Sequence, residues 1–212
     1  MRILLVLLVF AVLIGCISQE NQGNETNNDN LEVDLMGKKA LFIIAHDGFR
    51  DEELFETKGV LEKYGIQTTI ASTEKGTCSG QMGGTAEATL NLEEVGASEY
   101  DVIIFIGGAG TPSVRETEEA LAIAKEAYEE NEVVAAICWA PTILAKAGIL
   151  EGKKATVWVG NDSEYGISTV KVLEKYGATY VNKPVVVDGK IITADGPQSA
   201  KEFGEEIAKA LK

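Results

Sequence analysis

Short apolar runs alternate with helical patterns from about residue 40 onward, and this alternation constrains the fold more than any other feature of the chain. Each run is almost continuously apolar, which is typical of parallel strands that are covered on both faces. The runs are Ala40 to Ala45, Ile66 to Ala71, Val102 to Ile106, Val133 to Ile137 and Ala155 to Val159. The pattern predicts an α/β domain with a doubly wound parallel sheet and right-handed crossovers.

Helical patterns fill the intervals between these runs, and several stop at a glycine, the residue that most often follows the end of a helix. The predicted helices are Glu52 to Tyr64, Glu116 to Glu129, Thr142 to Ala147, Gly166 to Tyr176 and Ser199 to Leu211. Near the end of the chain, Asp188-Gly189 lies between two β-branched runs. This arrangement predicts a C-terminal β-hairpin over Val185 to Ile192.

Residues 1–16 have the character of a targeting segment. Arg2 is followed by an apolar run from Ile3 to Ile14, which is shorter than the roughly 20 residues that span a bilayer and is typical of a signal peptide. The run ends in Leu13-Ile14-Gly15-Cys16, which resembles a lipobox, so Cys16 is expected to carry lipid. An uncleaved N-terminal anchor is the alternative. Either interpretation predicts a membrane-attached protein whose domain is extracytoplasmic.

Ser18 to Asn30 is almost entirely polar, so residues 17–36 are expected to be a disordered tether. Residues 37–212 have the size of one ordinary domain. The formal net charge of the chain is −14, which disfavours nucleic acid as a partner because that binding depends on Lys and Arg. The chain has one histidine and no CxxC or HExxH motif, so no metal site is expected. Gly107-Gly108-Ala109-Gly110 lacks the Lys-Ser/Thr of a phosphate-binding loop.

Cys138 is the leading candidate for a reactive group. It follows the apolar run that ends at Ile137 and precedes Pro141, a residue that suits the first turn of a helix. A thiol at this joint faces the positive end of a helix dipole, so the sequence predicts a lowered pKa for Cys138 and more thiolate. A small buried residue that merely ends a strand is the alternative.

Three chemistry-bearing segments follow predicted strands directly. They are His46 to Glu53, Gly107-Gly108 and Cys138. Doubly wound sheets bind their ligands at the carboxyl ends of strands, near the point where the strand order reverses. The sequence therefore predicts that these segments meet at one rim of the sheet.

Several longer motifs occur in order along the domain. They are Gly48 to Glu56, Asp101 to Gly108, Ala136 to Pro141, Leu144 to Thr156, Val185 to Gly189 and Gly196-Pro197. On these motifs the chain resembles members of the ThiJ/PfpI superfamily from about Lys38 to Lys212. The resemblance implies a flavodoxin-like fold of the class I glutamine amidotransferase type, a homodimer with partner residues near the site, and no cofactor.

The resemblance also implies the residues of an active site. Cys138 would lie at a nucleophile elbow, and Glu53 would be the acid that hydrogen-bonds its thiolate. The backbone N–H groups of Gly108 and Trp139 would bind an oxyanion. The protease-like branch has histidine immediately after the nucleophile, where this chain has Trp139, and this departure weakens the case for a peptidase.

The sequence gives less specific predictions for the roles of other polar and aromatic residues near these motifs. His46 could replace the missing histidine through space, although a lone histidine near a rim is more often structural. Trp139 and Trp158 could wall the site, but a core position is expected for each. Asp51 and Glu52 fit the role of solvated acids in the first turn of a helix.

The resemblance implies a cysteine-dependent enzyme acting on small carbonyl compounds or their protein adducts, as the deglycase-like branch does. Attack of the Cys138 thiolate on an aldehyde would give a hemithioacetal, and Glu53 would carry the proton that completes conversion to a hydroxy acid. One alternative is a non-enzymatic oxidative-stress sensor or chaperone that works through oxidation of Cys138. The other is a cysteine peptidase or amidase of the protease-like branch.

Overall fold

The computed structural model describes residues 35–212. The expected signal segment with Cys16, and all but the last two residues of the expected tether, lie outside this range. Within residues 35–212, no helix is both long and apolar enough to cross a membrane.

The described residues form strands and α-helices that alternate along most of the chain. The strands are β1 (Lys39–Ile43), β2 (Asp47–Phe49), β3 (Gln67–Ser72), β4 (Gly76–Gly80), β5 (Thr85–Ala88), β6 (Leu90–Asn91), β7 (Val102–Phe105), β8 (Val133–Ile137), β9 (Lys154–Ala155), β10 (Asn161–Asp162), β11 (Ile167–Ser168), β12 (Thr179–Tyr180), β13 (Val185–Asp188) and β14 (Ile191–Ala194). The helices are α1 (Asp51–Lys63), α2 (Thr111–Arg115), α3 (Glu118–Glu129), α4 (Pro141–Lys146), α5 (Thr169–Lys175) and α6 (Ala200–Ala210).

The central sheet has seven strands in the order β13-β14-β8-β7-β1-β3-β6. Neighbouring strands are parallel except for β13 and β14, which form the predicted hairpin. Asp188 pairs with Ile191 across its turn, and Gly189 has a φ of 64°, a conformation that glycine adopts at little cost. The predicted α/β fold is therefore confirmed, with the hairpin extending to Ala194.

Apolar side chains cover both faces of this sheet. In β1, Leu41 faces one core cluster together with the buried face of α3 and α4. Phe42 faces the other cluster, where it is joined by Leu54 of α1 and Phe203 of α6. Burial on both faces explains why the strand sequences are continuously apolar, and it supplies the main stabilising free energy, about 25 cal/mol per Å² of apolar surface.

The strand order reverses at β1. This strand pairs with β3 on one side and with β7 on the other. The helix that follows β1 packs on one face of the sheet, whereas the helix between β7 and β8 packs on the opposite face. The carboxyl ends of β1, β7 and β8 therefore border the crevice in which doubly wound sheets bind ligands.

One predicted strand is wrong in extent and position. The run from Ala155 to Val159 contributes only Ala155 to a strand, and that strand pairs with β12 outside the central sheet. β14 occupies the place beside β8 instead. The rest of the run turns toward Cys138, and the Trp158 N–H donates to the Cys138 carbonyl at 2.8 Å. The run is apolar, but it does not form a strand of the central sheet.

The sequence did not predict the small sheet formed by β2, β4 and β5. Residues 76–88 are rich in Gly, Thr and Ser and lack an apolar run, so they carry no periodic signal. This sheet packs beside α1 and brings the loop between β4 and β5 to the rim of the central sheet.

Candidate active site

Cys138 lies at a sharp joint directly after β8. Its φ is 62°, a left-handed conformation that is costly for a residue with a side chain. Its N–H donates to the Ala194 carbonyl at 2.8 Å, and its own carbonyl accepts from Trp158 N–H at 2.8 Å. These bonds hold the strained backbone so that the thiol projects over the sheet, which is the geometry of a nucleophile elbow.

Glu53, in the first turn of α1, lies fully buried beside this thiol. Its Oε2 accepts the Gly107 N–H at 3.0 Å, and the carboxyl group interacts with the Cys138 side chain. A Cβ atom on residue 107 would lie 2.7 Å from the Cβ of Cys138 and 2.8 Å from Oε2 of Glu53. The absence of a side chain at Gly107 is therefore what allows the acid and the thiol to meet.

Burial dominates the electrostatics of this pair. It raises the pKa of Glu53 to about 8, against the lowering effect of hydrogen bonds to Cys138 and Gly107. Burial, followed by the negative charge of Glu53, also raises the pKa of the Cys138 thiol. The predicted lowering of this pKa is therefore wrong, because the sulfur is largely withdrawn from water and lies beside an acidic group.

The two groups titrate as a coupled pair. At neutral pH the Glu53 carboxyl is mostly protonated and has a proton to give. Once Glu53 has lost this proton, its negative charge raises the pKa of the neighbouring thiol, so the remaining proton stays on the sulfur. The Glu53 carboxylate is then placed to take the thiol proton, as a base, when the sulfur attacks a substrate.

Two backbone donors face the sulfur. The N–H groups of Trp139 and Gly108 both favour a negative charge on Cys138. Gly108 has a φ of 116°, and a Cβ there would lie 2.3 Å from the Gly48 carbonyl oxygen, so only glycine fits. Convergent N–H groups of this kind stabilise an oxyanion. The structure thus brings together the four residues that the resemblance implied, and their catalytic roles stay predictions.

A cleft of about 390 Å³ opens above the sulfur. Trp139, Trp158 and Pro197 supply its apolar walls. The tryptophan rings lie 5.7 Å apart, centroid to centroid, at an interplanar angle of 46°. The expectation that both tryptophans pack in the core is wrong, since both line the cleft and Trp158 is 39% exposed.

Polar side chains at the mouth of the cleft come from three separate segments. They are Arg50, Gln81 and Gln198. Gln81 Oε1 accepts the Ala109 N–H at 2.9 Å, which ties the β4–β5 loop to the loop after β7. Gln81 and Gln198 were not predicted from the sequence, because a glutamine in an irregular segment carries no signal of its own.

Asp51 is the residue that holds the β4–β5 loop in place. Its carboxylate accepts the N–H groups of Met82 at 2.8 Å and Gly84 at 2.6 Å, and only 7% of the residue is exposed. The expectation of a solvated acid is therefore wrong for Asp51. Glu52 does remain at the surface, where it pairs with Arg50.

His46 does not line the cleft. Its Nδ1 lies 3.7 Å from the sulfur of Cys78 in β4, where the small sheet packs on the domain. The structure therefore does not bring the only histidine of the chain to Cys138, and it offers no support for His46 as a substitute base. Among residues 35–212, no group of three or more His, Cys, Asp or Glu side chains is placed to hold a metal ion.

Behind Trp139 lies a buried ionic network that the sequence analysis also missed. Arg115 and Asp162 are both fully buried and form a bidentate pair, with Nη1 to Oδ2 at 2.5 Å and Nη2 to Oδ1 at 3.0 Å. The indole N–H of Trp139 donates to the same Oδ2 at 2.8 Å. These residues lie far apart in sequence, so no local pattern could have linked them.

Residues 38–210 match the DJ-1/PfpI family. The chain belongs to this family. The resemblance stated from the motifs is thereby confirmed, and the match covers the whole described domain apart from a few residues at each end. Solved structures of DJ-1/PfpI proteins also share the fold.

This DJ-1/PfpI chain is similar to several known proteins. It is 33% identical over 174 residues to the protein named deglycase PfpI of Pyrococcus furiosus, covering 82% of this chain and 99% of that protein. An uncharacterized protein of Methanocaldococcus jannaschii is 37% identical and matches all of this chain and 98% of its own length. The crystal structure of a ThiJ/PfpI domain protein from Brachyspira murdochii superposes with a TM-score of 0.76 at 32% identity, covering 82% of this chain and 98% of that one.

Proposed function

We propose that this protein is a cysteine-dependent enzyme that acts on small reactive carbonyl compounds or their protein adducts. The observation that carries the proposal is the pairing of Cys138 with a buried carboxyl group of raised pKa, beneath two backbone donors and inside a cleft. Similarity to proteins named deglycases supports the same class of activity.

A 2-oxoaldehyde such as methylglyoxal illustrates the chemistry. The Cys138 sulfur adds to the aldehyde carbon, and the carbonyl oxygen takes up a proton to give a hemithioacetal. As the carboxylate, Glu53 then removes the hydrogen on that carbon and returns a proton to the neighbouring carbon. The hydroxyl proton of the hemithioacetal passes to the neighbouring ketone oxygen, which yields a thioester of lactate. Water hydrolyses the thioester, so that methylglyoxal and water become lactate and the free thiol is restored. The N–H groups of Gly108 and Trp139 stabilise the oxygen anions in this sequence.

Turnover of methylglyoxal by the purified protein tests this proposal, with lactate as the measured product. We expect Cys138→Ala to abolish lactate formation. The matched control is Cys78→Ala, because Cys78 is buried at the small sheet and away from the cleft. A glycated peptide is assayed in parallel, with the deglycated peptide as the measured product. This assay shows whether the substrates are free carbonyl compounds or protein adducts. Failure of the wild-type protein to form either product would overturn the proposal.

The sensor alternative rests on one observation. The Oε1 atom of Glu53 is buried and has no nitrogen or oxygen partner, so it can accept or donate a hydrogen bond to an oxygen added to Cys138. A protein that gains two oxygens at Cys138 under mild peroxide, and that fails to turn over methylglyoxal, would favour the sensor over the enzyme.

The peptidase alternative has less support. The cleft offers Trp139 where the protease-like branch has histidine, and His46 lies against Cys78. Hydrolysis of an unmodified peptide that is lost in Cys138→Ala would favour this alternative.

We also propose that the protein is anchored to a membrane through residues 1–16 and assembles as a homodimer. The anchor is supported only by the apolar run and the Leu-Ile-Gly-Cys sequence at its end. Cell fractionation of the wild-type protein and of Cys16→Ser tests it, since loss of the lipid site should release the domain or leave an unprocessed precursor.

A further inference from the structure

Trp139 is held from behind by a carboxylate. Its indole N–H donates to Asp162 Oδ2 at 2.8 Å, and Asp162 is fully buried. The other oxygen, Oδ1, accepts from Arg115 and from the N–H groups of Glu164 and Tyr165, both at 3.2 Å. The carboxylate therefore cannot move without breaking several hydrogen bonds at once.

Arg115 is in turn held through both terminal nitrogens of its guanidinium group. It pairs with both oxygens of Asp162, donates to Thr142 Oγ1 at 2.9 Å and pairs with Glu164. Its guanidinium group also lies 4.7 Å from the centroid of the Tyr165 ring. Burial by itself raises the pKa of Asp162, but hydrogen bonds from Arg115 and Trp139 hold that pKa below its ordinary value. The network thus presents an ionised acceptor to the indole N–H.

The ring held in this way faces the reactive sulfur. Trp139 follows Cys138 in the chain, its backbone N–H is directed at the sulfur, and its ring walls the cleft opposite Trp158. Rotation of the ring would break the hydrogen bond between the indole N–H and the buried Oδ2 of Asp162. The width of the cleft above Cys138 therefore depends on Asp162.

We propose that Asp162, clamped by Arg115, is a positioning residue that fixes the Trp139 ring as a wall of the cleft and so restricts Cys138 to small electrophiles. The proposal rests on the proposed role of Cys138 as the nucleophile but not on the identity of the reaction. It deepens the proposed function by favouring small free carbonyl compounds over bulky adducts as substrates.

The test measures how the size of an electrophile affects its reaction with Cys138. Rate constants for alkylation by iodoacetamide and by N-phenylmaleimide are determined by mass spectrometry for the full-length protein and for Asp162→Asn, which keeps the size of the side chain and removes its charge. We expect the variant to raise the rate of the bulky reagent relative to the small one on the order of fivefold, the effect of one hydrogen bond. The matched control is Asp188→Asn in the distant hairpin turn, for which we expect an unchanged ratio.

A double-mutant cycle separates positioning from a general loosening of the domain. Trp139→Phe keeps an aromatic ring and removes the indole N–H. In that background Asp162→Asn is expected to have no further effect on the ratio. An equal effect in both backgrounds, or no effect in either, would overturn the proposal while leaving Cys138 as the nucleophile.

Two further outcomes keep the test decisive. If Asp162→Asn does not fold, Arg115→Lys is taken through the same cycle, because lysine keeps the charge and loses the bidentate geometry. If Cys138 itself resists both reagents while Cys78 reacts, the proposed function fails, and this proposal fails with it.

Discussion

At the scale of single residues, the protonation state of Glu53 decides when the Cys138 thiol can react. With the pKa of Glu53 raised to about 8 by burial, the pair carries both of its protons at neutral pH. The first proton to be lost is that of Glu53, and the resulting carboxylate can then act as a base toward the thiol. The side chain at position 53 therefore sets the pH at which the cysteine becomes reactive.

We predict that alkylation of Cys138 rises with pH through a midpoint near 8, and that Glu53→Gln moves this midpoint upward. Glutamine keeps the size of the side chain but cannot act as a base toward the thiol, so the buried thiol must ionise without help. We expect about a tenfold lower rate at pH 7 in the variant. The measurement is a pH–rate profile from pH 6 to 10, and superimposable profiles in two folded proteins would reduce Glu53 to a structural role.

We predict that Cys138 reacts well before Cys78 in the wild-type protein. Cys78 is fully buried beside His46 and away from the cleft, so a reagent cannot reach its sulfur while the domain is folded. Cys138 is only half-buried and opens into the cleft. Peptide mapping after brief treatment with iodoacetamide at pH 8 measures both sites, and equal labelling would argue against the elbow as the reactive centre.

For single residues, the sequence predicted the place of a side chain in the fold better than it predicted the burial and charge around that side chain. The strand end before Cys138 and the proline after it were enough to place the cysteine at a joint between a strand and a helix, because both signals are local. The direction of the pKa shift was not predictable in the same way, since burial depends on residues from other segments. Asp162, which orients Trp139, lies beyond two intervening elements and has no local signature.

At the scale of elements, close backbone contacts at the rim align the ends of the strands. The Arg50 N–H donates to the Gly107 carbonyl at 2.9 Å, and the Gly110 N–H donates to the Gly48 carbonyl at 3.0 Å. These bonds join the segment that starts α1 to the loop after β7. Glu53 can reach Cys138 only while the two segments stay in register.

We predict that Gly110→Ala destabilises the domain by about 2–4 kcal/mol and slows the reaction of Cys138. The added Cβ would lie 2.0 Å from the Asp47 carbonyl oxygen, and a backbone atom cannot move aside as a side chain can. The matched control is Gly59→Ala in α1, where nothing lies within 4 Å of the new Cβ and helix propensity favours alanine by up to about 1 kcal/mol. Urea unfolding of both variants checks the prediction, which fails if the two substitutions change stability in the same direction.

Elements with strong periodicity were predicted within a few residues, as for β8 and α6. Short elements were not, because a strand such as β10 contains two residues and is set by its partner rather than by its own sequence. The run from Ala155 to Val159 was misassigned for a related reason. Val157 packs in the core and Trp158 lines the cleft, and neither position requires that the residue lie in a strand of the sheet.

At the scale of the whole molecule, the buried acid of the site links function to stability. The pKa of Glu53 in the folded protein, about 8, is above its ordinary value of 4.5. The folded state therefore binds this proton more tightly than the unfolded state. The stability that it contributes is complete below about pH 4.5 and is lost as pH rises toward 8.

We predict that the free energy of unfolding falls between pH 5.5 and pH 8.5 and that Glu53→Gln reduces this fall. The upper bound on the effect of Glu53 is about 5 kcal/mol, at roughly 1.4 kcal/mol per pKa unit. The exposed Glu56→Gln variant in the same helix is the control and should behave like the wild type. A pH dependence that is identical in all three proteins would contradict the raised pKa of Glu53.

The backbone of Cys138 is held by bonds to Ala194 and Trp158, both of which follow it in the chain. A ribosome adds about 5–20 residues per second, so several seconds separate synthesis of the cysteine from synthesis of its last support. The nascent chain thus carries an unsupported thiol until β14 has emerged and paired with β8. Products of premature termination before Ile191 lack that support, so the held conformation of Cys138 belongs only to chains that have been translated beyond β14.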